Sequence, residues 1–571
     1  MLNRQIAKIF YEIGDYLEMK EVAFKPSAYR KAAFFLENLD KDIGRVYEQG
    51  GLRDLEKIPG VGENIARKIE EYLKTGKIKE HQKLKKQTPI NLQEINLVES
   101  MGLKKARILY KELGIRNLKD LEKAARAGKI APLFGFGKKT EQNILEGIAF
   151  LKKSKGRFLL GDIMPFVDLI LDKLKNFSEV KQISEAGSLR RRKETIGDVD
   201  ILAVSSDPEK VMDFFVNLPG VVKIWSKGKT KSSVRVKDDF DIDLRVVPRE
   251  SYGSALQYFT GSKEHNIALR KIAISKGLKL NEYGIFRGKK KIAGQTEKEV
   301  YEKLGMGWIP PEIRENEGEI EASLKNALPK IIGYNEIKGD LHCHSDWNGG
   351  KNSIKEMAET ALKIGYDYIG ISDHTKFLRI ERGLNERELG LQGKEIKKLN
   401  SKNRSGFKIL QGCEANILKD GSMDIKNEAL KKLDYAIAGV HSNMKMGKKE
   451  MTERIIRAMK NPHIDIISHL TGRLIKKRDE YQIDFEKILR AAKQFKVILE
   501  INSSPERLDL KDIYIRMAKN VGVKMAVNTD SHHKDQLHCI SFGLAQARRG
   551  WAETSDIVNS WPLKKLLNFL K

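Results

Sequence analysis

The stretch GSLRRRKETIGDVDILAVS, residues 187 to 205, constrains the fold more than any other, because it sets Asp198 and Asp200 two residues apart in an alternating apolar run. Alternation by two is the period of a β-strand, so both carboxylates fall on one face while Val199 and Ile201 fall on the other. A half-buried strand is expected, with an acidic face able to collect divalent cations. The basic turn before it, Arg190 to Lys193, suits phosphate. A third carboxylate is needed to hold two cations beside a triphosphate, and FDIDLRVVP at 240 to 248 offers Asp241 and Asp243 on a second alternating strand. Asp243 is the expected third ligand.

On its GS and GDVD elements the segment resembles the nucleotidyltransferase superfamily. YFTGSKEHN at 258 to 266 and NEYG at 281 to 284 make most of residues 1 to 315 similar to family X DNA polymerases of the beta type. The resemblance implies that Ser188 and Arg191 contact the incoming triphosphate and that Gly197 lets the backbone approach it. It further implies that Tyr258 and Phe259 line the sugar pocket, that Asn266 reaches the minor-groove edge of the base, and that Arg270 touches the template strand. Asp198 and Asp200 are then expected to hold two Mg²⁺ or Mn²⁺ ions. Asp243 is expected to hold one of them and to help the primer 3′-oxygen lose its proton.

At 571 residues the chain is too long for one core, and about four domains are expected. A formal net charge of +28 fits a polyanionic partner bound less tightly as salt rises. A lysine-rich solubilising surface has the same composition, so charge alone does not name the partner. Cys343, Cys413 and Cys539 make no disulfide framework and point to a reducing compartment. The opening MLNRQIAKIFYEIGDYL reads as an amphipathic helix without a signal-peptide core, and no apolar run is long enough to span a membrane. A cytoplasmic monomer with no membrane partner is the expectation.

Residues 1 to 150 carry helix-period hydrophobics broken by glycines. IPGVGENIARKI at 58 to 69 puts Gly60 and Gly62 in a tight turn before a helix, whose first N–H groups can bind phosphate without reading a base. VESMGLKKARIL at 98 to 109, with Gly102, and FGFGKKTEQNIL at 134 to 145, with Gly135 and Gly137, repeat the turn. All three are similar to the helix-hairpin-helix motif of DNA-binding proteins. The second departs from it at Glu99 and Ser100, where proline and glycine are usual. Aligned on IPGVG, Lys68 falls where beta-type polymerases carry the lysine that forms a Schiff base with a 5′-deoxyribose phosphate. That chemistry needs a lowered lysine pKa, for which Arg67, Lys74 and Lys77 are the available cationic neighbours. A plain DNA-backbone contact is the competing role for Lys68.

Nine of the eleven histidines lie after residue 336, so the second half has chemistry of its own. From GDLHCHSDW at 339 to 347, short apolar strands end in ligand-type residues and alternate with helix-period segments. YIGISDH ends on His374, ILQGCE on Glu414, AIAGVH on His441, DIISHL on His469, and KMAVNTDSH on Asp530 and His532. Such repetition implies a barrel whose strand ends gather on one face, joined there by His342 and His344. Imidazoles and carboxylates together suit Zn²⁺, Mn²⁺ or iron. This half resembles the polymerase and histidinol phosphatase (PHP) domain, a metallophosphoesterase fold. The resemblance implies up to three Mn²⁺ or Zn²⁺ ions and 3′→5′ exonuclease activity, with abasic-site cleavage as an extension. It also implies an aspartate where this chain has Gly349, leaving the ligand set one short unless Asp346 is brought in by a shifted loop.

The expected architecture is multidomain. A helical DNA-binding domain with the first hairpin covers 1–80, and fingers with two more hairpins cover 81–150. An α+β nucleotidyltransferase palm covers 151–255, a thumb 256–315, an acidic linker 316–336 and an α/β PHP barrel 337–571. The expected activity is gap filling on primer-template DNA with deoxynucleoside triphosphates, in base excision repair. Two rival readings fit part of the pattern: a template-independent nucleotidyltransferase, and a polymerase or scaffold whose barrel metals serve only structure.

Overall fold

The computed structural model describes residues 2–570 except 38, 40, 97, 99, 100, 154, 155, 238, 239, 379–381, 404 and 405. The atypical Glu99 and Ser100 of the second hairpin therefore lie outside the described residues. The chain forms two compact units, Met1–Lys155 and Gly156–Lys571.

The first unit is helical. Leu2–Met19 buries Ile6, Phe10, Ile13 and Leu17, the spacing of one helix face, in a core shared with the helices that follow. Glu63–Thr75 begins at Gly62 and stops at Gly76, which adopts a left-handed φ of 69°. Leu103–Leu113 repeats the arrangement between Gly102 and Gly114, where φ is 66°. Glycine ends these helices because only it enters that region without a Cβ penalty.

In the second unit one sheet runs Val180–Glu185, Asp198–Ser205, Asp241–Val246, Lys231–Val236, Val221–Lys227. Only the pairing between Asp198–Ser205 and Asp241–Val246 is parallel. Val199, Ile201 and Ala203 point into a core with helices Leu160–Lys175 and Pro208–Val216. On the other face Leu202 and Val204 are covered by helix Tyr252–Thr260, through Tyr252, Ala255 and Leu256. Asp198 and Asp200 precede that cover, so they occupy the open end of the same face. Next come helix Lys263–Ser275, a meander of Lys279–Asn281, Gly284–Arg287 and Lys290–Ala293, and helix Glu297–Lys303, around Leu269, Ile285 and Tyr301.

The stretch read as an acidic linker, 316–336, and the residues just before it are packed. Arg314 is fully buried and pairs with Glu297 at 2.6 Å. Glu319 meets the buried His265 at 2.6 Å, and Glu312 meets Arg548 at 2.7 Å. Composition suggested solvent; the charges instead have partners elsewhere in the chain.

The last half holds two all-parallel sheets. One contains Gly339–Cys343, Tyr368–Ile371 and Lys408–Gln411; the other contains Glu414–Asn416, Ile437–Gly439, Ile466–Ile467, Ile498–Asn502 and Met525–Asn528. Single bridges, His374 to Glu414 and Cys343 to Ser531, join the sheets at both seams and close a barrel. Leu341, Tyr368, Ile437, Ile466, Ile498 and Ala526 pack with Val558, Trp561 and Leu566, which plug it. One expectation is corrected. Glu414 does not end the strand ILQGCE: Lys408–Gln411 stays beside Tyr368–Ile371, and Glu414 opens a new segment paired with Ile437.

Candidate active sites

On the palm sheet, Asp198 lies in register with Asp241 and Asp200 with Asp243. Side chains in register on adjacent strands share a face, so four carboxylates converge there. One of them is occupied: Arg235 bonds both oxygens of Asp241 at 2.7 and 2.8 Å, and Trp225 Nε1 donates to it at 2.8 Å. The remaining three are the expected set. Burial, then the charges of Asp198 and Asp243, push the Asp200 carboxyl up to about 6. Lys231 stands 3.0 Å from Asp243, a cation already drawn to the cluster. This negative crowding fits divalent cations.

Gly187 opens the one-turn helix Gly187–Arg190 with φ at 60°, and a Cβ there would lie 2.3 Å from Asp200 Oδ2. The turn can approach the carboxylates only as glycine. Ser188 is partly exposed on it. Arg191 Nε donates to Glu315 at 3.1 Å, and its Nη1 to the Thr260 carbonyl. Gly197 directly precedes the acidic strand, and a Cβ there would come only to 3.5 Å of Arg157. Tyr258 and Phe259 stand edge to face at 5.2 Å, with Arg245 over the Phe259 ring. Asn266 is buried, donating to the Tyr258 carbonyl and accepting from Gln257, each at 2.7 Å. It must exchange those bonds to reach a base. Arg270 is partly exposed on Lys263–Ser275.

In the first unit, Gly60 and Gly135 have left-handed φ of 79° and 81°, and the space beside Gly62, Gly102 and Gly137 is open to 4 Å. Each of those three immediately precedes a helix, leaving its first N–H groups free of side-chain bulk. Lys68 pairs with Glu80 at 2.9 Å. Two of its expected cationic neighbours are engaged as well, Arg67 with Glu63 and Lys74 with Glu70, both at 2.8 Å. The cationic crowding expected around Lys68 is thus corrected.

The barrel gathers all eight expected ligands. Three groups have ligand atoms close enough to share an ion: His342, His344 and Asp530; His374, Glu414 and His441; His344, His374 and His532. His469 Nε2 stands 3.0 Å from Glu414. His342 Nε2, both ring nitrogens of His344, His374 Nδ1, Glu414 Oε2 and His441 Nε2 are buried without a hydrogen-bond partner. They crowd one another instead, His374 Nδ1 and His342 Nε2 standing 2.9 and 3.2 Å from Glu414 Oε2, and buried ligand-type atoms arranged in this way fit metal ligation. Burial works against the Glu414 charge, but His342, His441 and His374 outweigh it and hold that carboxyl well below the usual range. His469 and Asp530 adopt left-handed φ of 26° and 57°, strain of the kind found at functional sites.

Asp346 is exposed and outside all three groups, so it does not replace the missing aspartate. The free Cys343 and Cys413 are buried and belong to no group among the described residues. Sequence reading missed Glu500, which pairs with His342 Nδ1 at 2.7 Å and accepts from the His469 N–H at 2.8 Å. A lone glutamate within the apolar run VILEIN was the available signal.

An acidic palm and a histidine-lined barrel in one chain define a class: a nucleotidyltransferase palm joined to a metallophosphoesterase-type barrel. Family models match a helix-hairpin-helix domain at 1–78, a helix-hairpin-helix tandem at 91–149, a DNA polymerase beta thumb at 255–315 and a PHP domain at 340–504. The chain is 36% identical over 577 residues to the DNA polymerase/3′-5′ exonuclease PolX of Bacillus subtilis (strain 168), covering 100% of each. A probable phosphatase of Thermoanaerobacter sp. (strain X514) is 32% identical over 243 residues, 41% of this chain and 94% of the relative. One of Caldicellulosiruptor bescii is 32% identical over 208 residues, 35% of this chain and 81% of the relative. The chain belongs to the family X DNA polymerases that carry a PHP domain. Both the polymerase and PHP domains of this family are metal-dependent, and the barrel here holds three groups of His, Asp and Glu whose ligand atoms lie close together. Among the described residues, no helix is long and apolar enough to cross a membrane.

Proposed function

We propose that this protein is a DNA-directed DNA polymerase that fills short gaps during base excision repair and trims 3′ ends with its barrel. The observation that carries the first part is the register of Asp200 against Asp243, with Gly187 packed on Asp200. Asp198, Asp200 and Asp243 would hold Mg²⁺ or Mn²⁺, which when bound supplies charge neutralisation to the attacking oxygen and the leaving pyrophosphate. Asp243 orients the primer 3′-hydroxyl and accepts its proton. Ser188 and Arg191 bind the triphosphate, Tyr258 and Phe259 bound the sugar, and Arg270 steadies the template. The hairpin glycines admit DNA phosphates to helix N-termini.

The second part rests on the open ligand atoms of the barrel. Its residues would hold Mn²⁺ or Zn²⁺, up to three ions, which when bound polarise a 3′-terminal phosphodiester. Glu500 orients His342. We place the protein in the cytoplasm as a monomer. The lyase role of Lys68 has the weakest support, because Glu80 already pairs with it. Borohydride trapping on an opened abasic site that persists in Lys68→Ala would dismiss it.

The deciding experiment is a one-nucleotide-gap assay with wild type and Asp243→Ala, run beside digestion of a 5′-labelled strand. Primer-dependent insertion lost in the variant, with digestion retained, supports both parts. Equal insertion by the two proteins, or insertion without a template, sinks the polymerase reading.

A further inference from the structure

Three consecutive arginines follow the Gly187–Ser188 turn, and each ends on a carboxylate: Arg190 on Glu297, Arg191 on Glu315, Arg192 on Glu185. The middle one is held from outside the palm. Arg549, at the end of helix Ile540–Arg549, donates from Nη1 to Glu315 Oε1 at 3.1 Å, to the Arg191 carbonyl at 2.9 Å and to the Glu312 carbonyl at 3.2 Å. Its Nη2 donates to Asp512 at 2.5 Å, anchoring the fork in the C-terminal half. The Arg549 side chain is 3% exposed, so it cannot be a solvated surface contact. Arg191 is hemmed in on another side by Gly261, where a Cβ would lie 3.1 Å from its Nη1.

We propose that Arg549 is a positioning residue for nucleotide binding: it fixes both the main chain of Arg191 and the carboxylate that holds the Arg191 guanidinium. The inference rests on the polymerase reading above, in which Arg191 meets the incoming triphosphate. Two effects act in the same direction. Arg549 shares the charge of Glu315 with Lys193, 3.5 Å away; without Arg549, Glu315 is held by Lys193 and Arg191 alone and competes more strongly with the triphosphate. Arg549 also ties down the Arg191 carbonyl, and a loosened turn must be ordered again each time nucleotide binds. The planar fork suits this task and an ammonium does not, since one side chain reaches two carbonyls and two carboxylates. The C-terminal half thereby contributes to polymerisation without touching substrate.

The test uses the full chain with Arg549→Met, Arg549→Lys, Glu315→Gln and the Arg549→Met/Glu315→Gln pair. Insertion of one nucleotide into a gap is followed for KM and kcat, and 3′-end digestion is followed on the same preparations. Arg549→Met is expected to raise the KM for deoxynucleotide about tenfold, the worth of one charge-assisted hydrogen bond, with kcat and digestion within about twofold of wild type. Arg549→Lys should recover only part of that loss. The double variant should be no worse than Arg549→Met, because both act through one relay. An unchanged KM, a parallel fall in KM-independent kcat and digestion, or additive effects in the double variant would overturn the inference. If Arg549→Met does not fold, Arg549→Lys decides alone: a raised KM with kcat and digestion unchanged supports the relay, and wild-type KM ends it. Wild-type protein that inserts no nucleotide at all counts against the polymerase reading instead.

Discussion

Asp200 faces Asp243 across the one parallel pair of the palm sheet, while their neighbour Asp241, in register with Asp198, is bonded at both oxygens by Arg235. The face therefore carries four carboxylates but offers three. Asp200→Ala or Asp243→Ala is expected to lower gap filling at least ~1000-fold, about 4 kcal/mol of barrier, with DNA affinity retained. Asp241→Asn should cost less than about tenfold. Single-turnover insertion beside a DNA-binding titration measures both.

The raised carboxyl of Asp200 gives a pH dependence whose sign is fixed. Its proton competes with a cation below about pH 6, so the metal concentration for half-maximal insertion should climb as pH falls through that value. In metal-free protein the linkage runs the other way. A carboxyl raised in the folded state adds stability as pH drops from about 6 towards the ordinary 3.8. Metal titrations of insertion between pH 5 and pH 8, as an order-of-magnitude window, check this. A flat profile would remove Asp200 from the ligand set.

Glu297 neutralises two arginines, the half-buried Arg190 and the buried Arg314, at 2.7 and 2.6 Å. Burial opposes its charge, yet Arg314 and Arg190 outweigh that and hold the carboxyl far below its usual range. Glu297→Ala should destabilise the protein by about 3–5 kcal/mol, since two cations lose their partner. A depressed carboxyl contributes its stability above the ordinary value of 4.5 and loses it as pH falls below. Denaturant unfolding at neutral and acid pH reads both effects.

In the barrel, removing His342 and His344 together should abolish 3′-end digestion and spare insertion, because the two sites share no ligand. Glu500→Gln, which loosens His342 without removing a ligand, should weaken metal binding about 10- to 100-fold. Metal content after dialysis against a graded chelator distinguishes the two variants.

One of the three ligand groups, His344, His374 and His532, contains no carboxylate, and Gly349 stands where the resemblance to the PHP domain implies an aspartate. Its ion should be the most weakly held. Gly349→Asp is expected to raise the retained metal and the digestion rate at limiting Mn²⁺. The left-handed φ of 44° at Gly349 is within reach of aspartate at modest strain. Equal metal content in variant and wild type would show that the site is complete without it.

Much of both sites was legible because their residues sit in short periodic runs. Asp198, Asp200 and Asp243 alternate with core residues, and the barrel ligands follow apolar strands, so periodicity alone put them on common faces. What escaped notice depends on partners far away in the chain. Glu500 was missed because its partner His342 lies 158 residues earlier. Residues 316–336 were read as an acidic linker because nothing local shows that His265 awaits Glu319. Asp243 was preferred to Asp241 without a local reason, and the structure supplies one: Arg235, on the adjacent strand, already occupies Asp241. Glu414 was placed on the wrong strand because a shift between sheets leaves the apolar pattern unbroken.

The plug under the barrel bears on how the protein is made. Asn559 bonds the carbonyls of Val527 and Gly339, the latter 220 positions earlier, and Trp561 and Leu566 fill the space beneath Leu341. On the ribosome, which emits the chain from its N-terminus, the palm strands are complete while the barrel floor is still missing. The barrel ligands, spread from His342 to His532, are therefore gathered over a floor that only the segment from Val558 to Leu566 supplies.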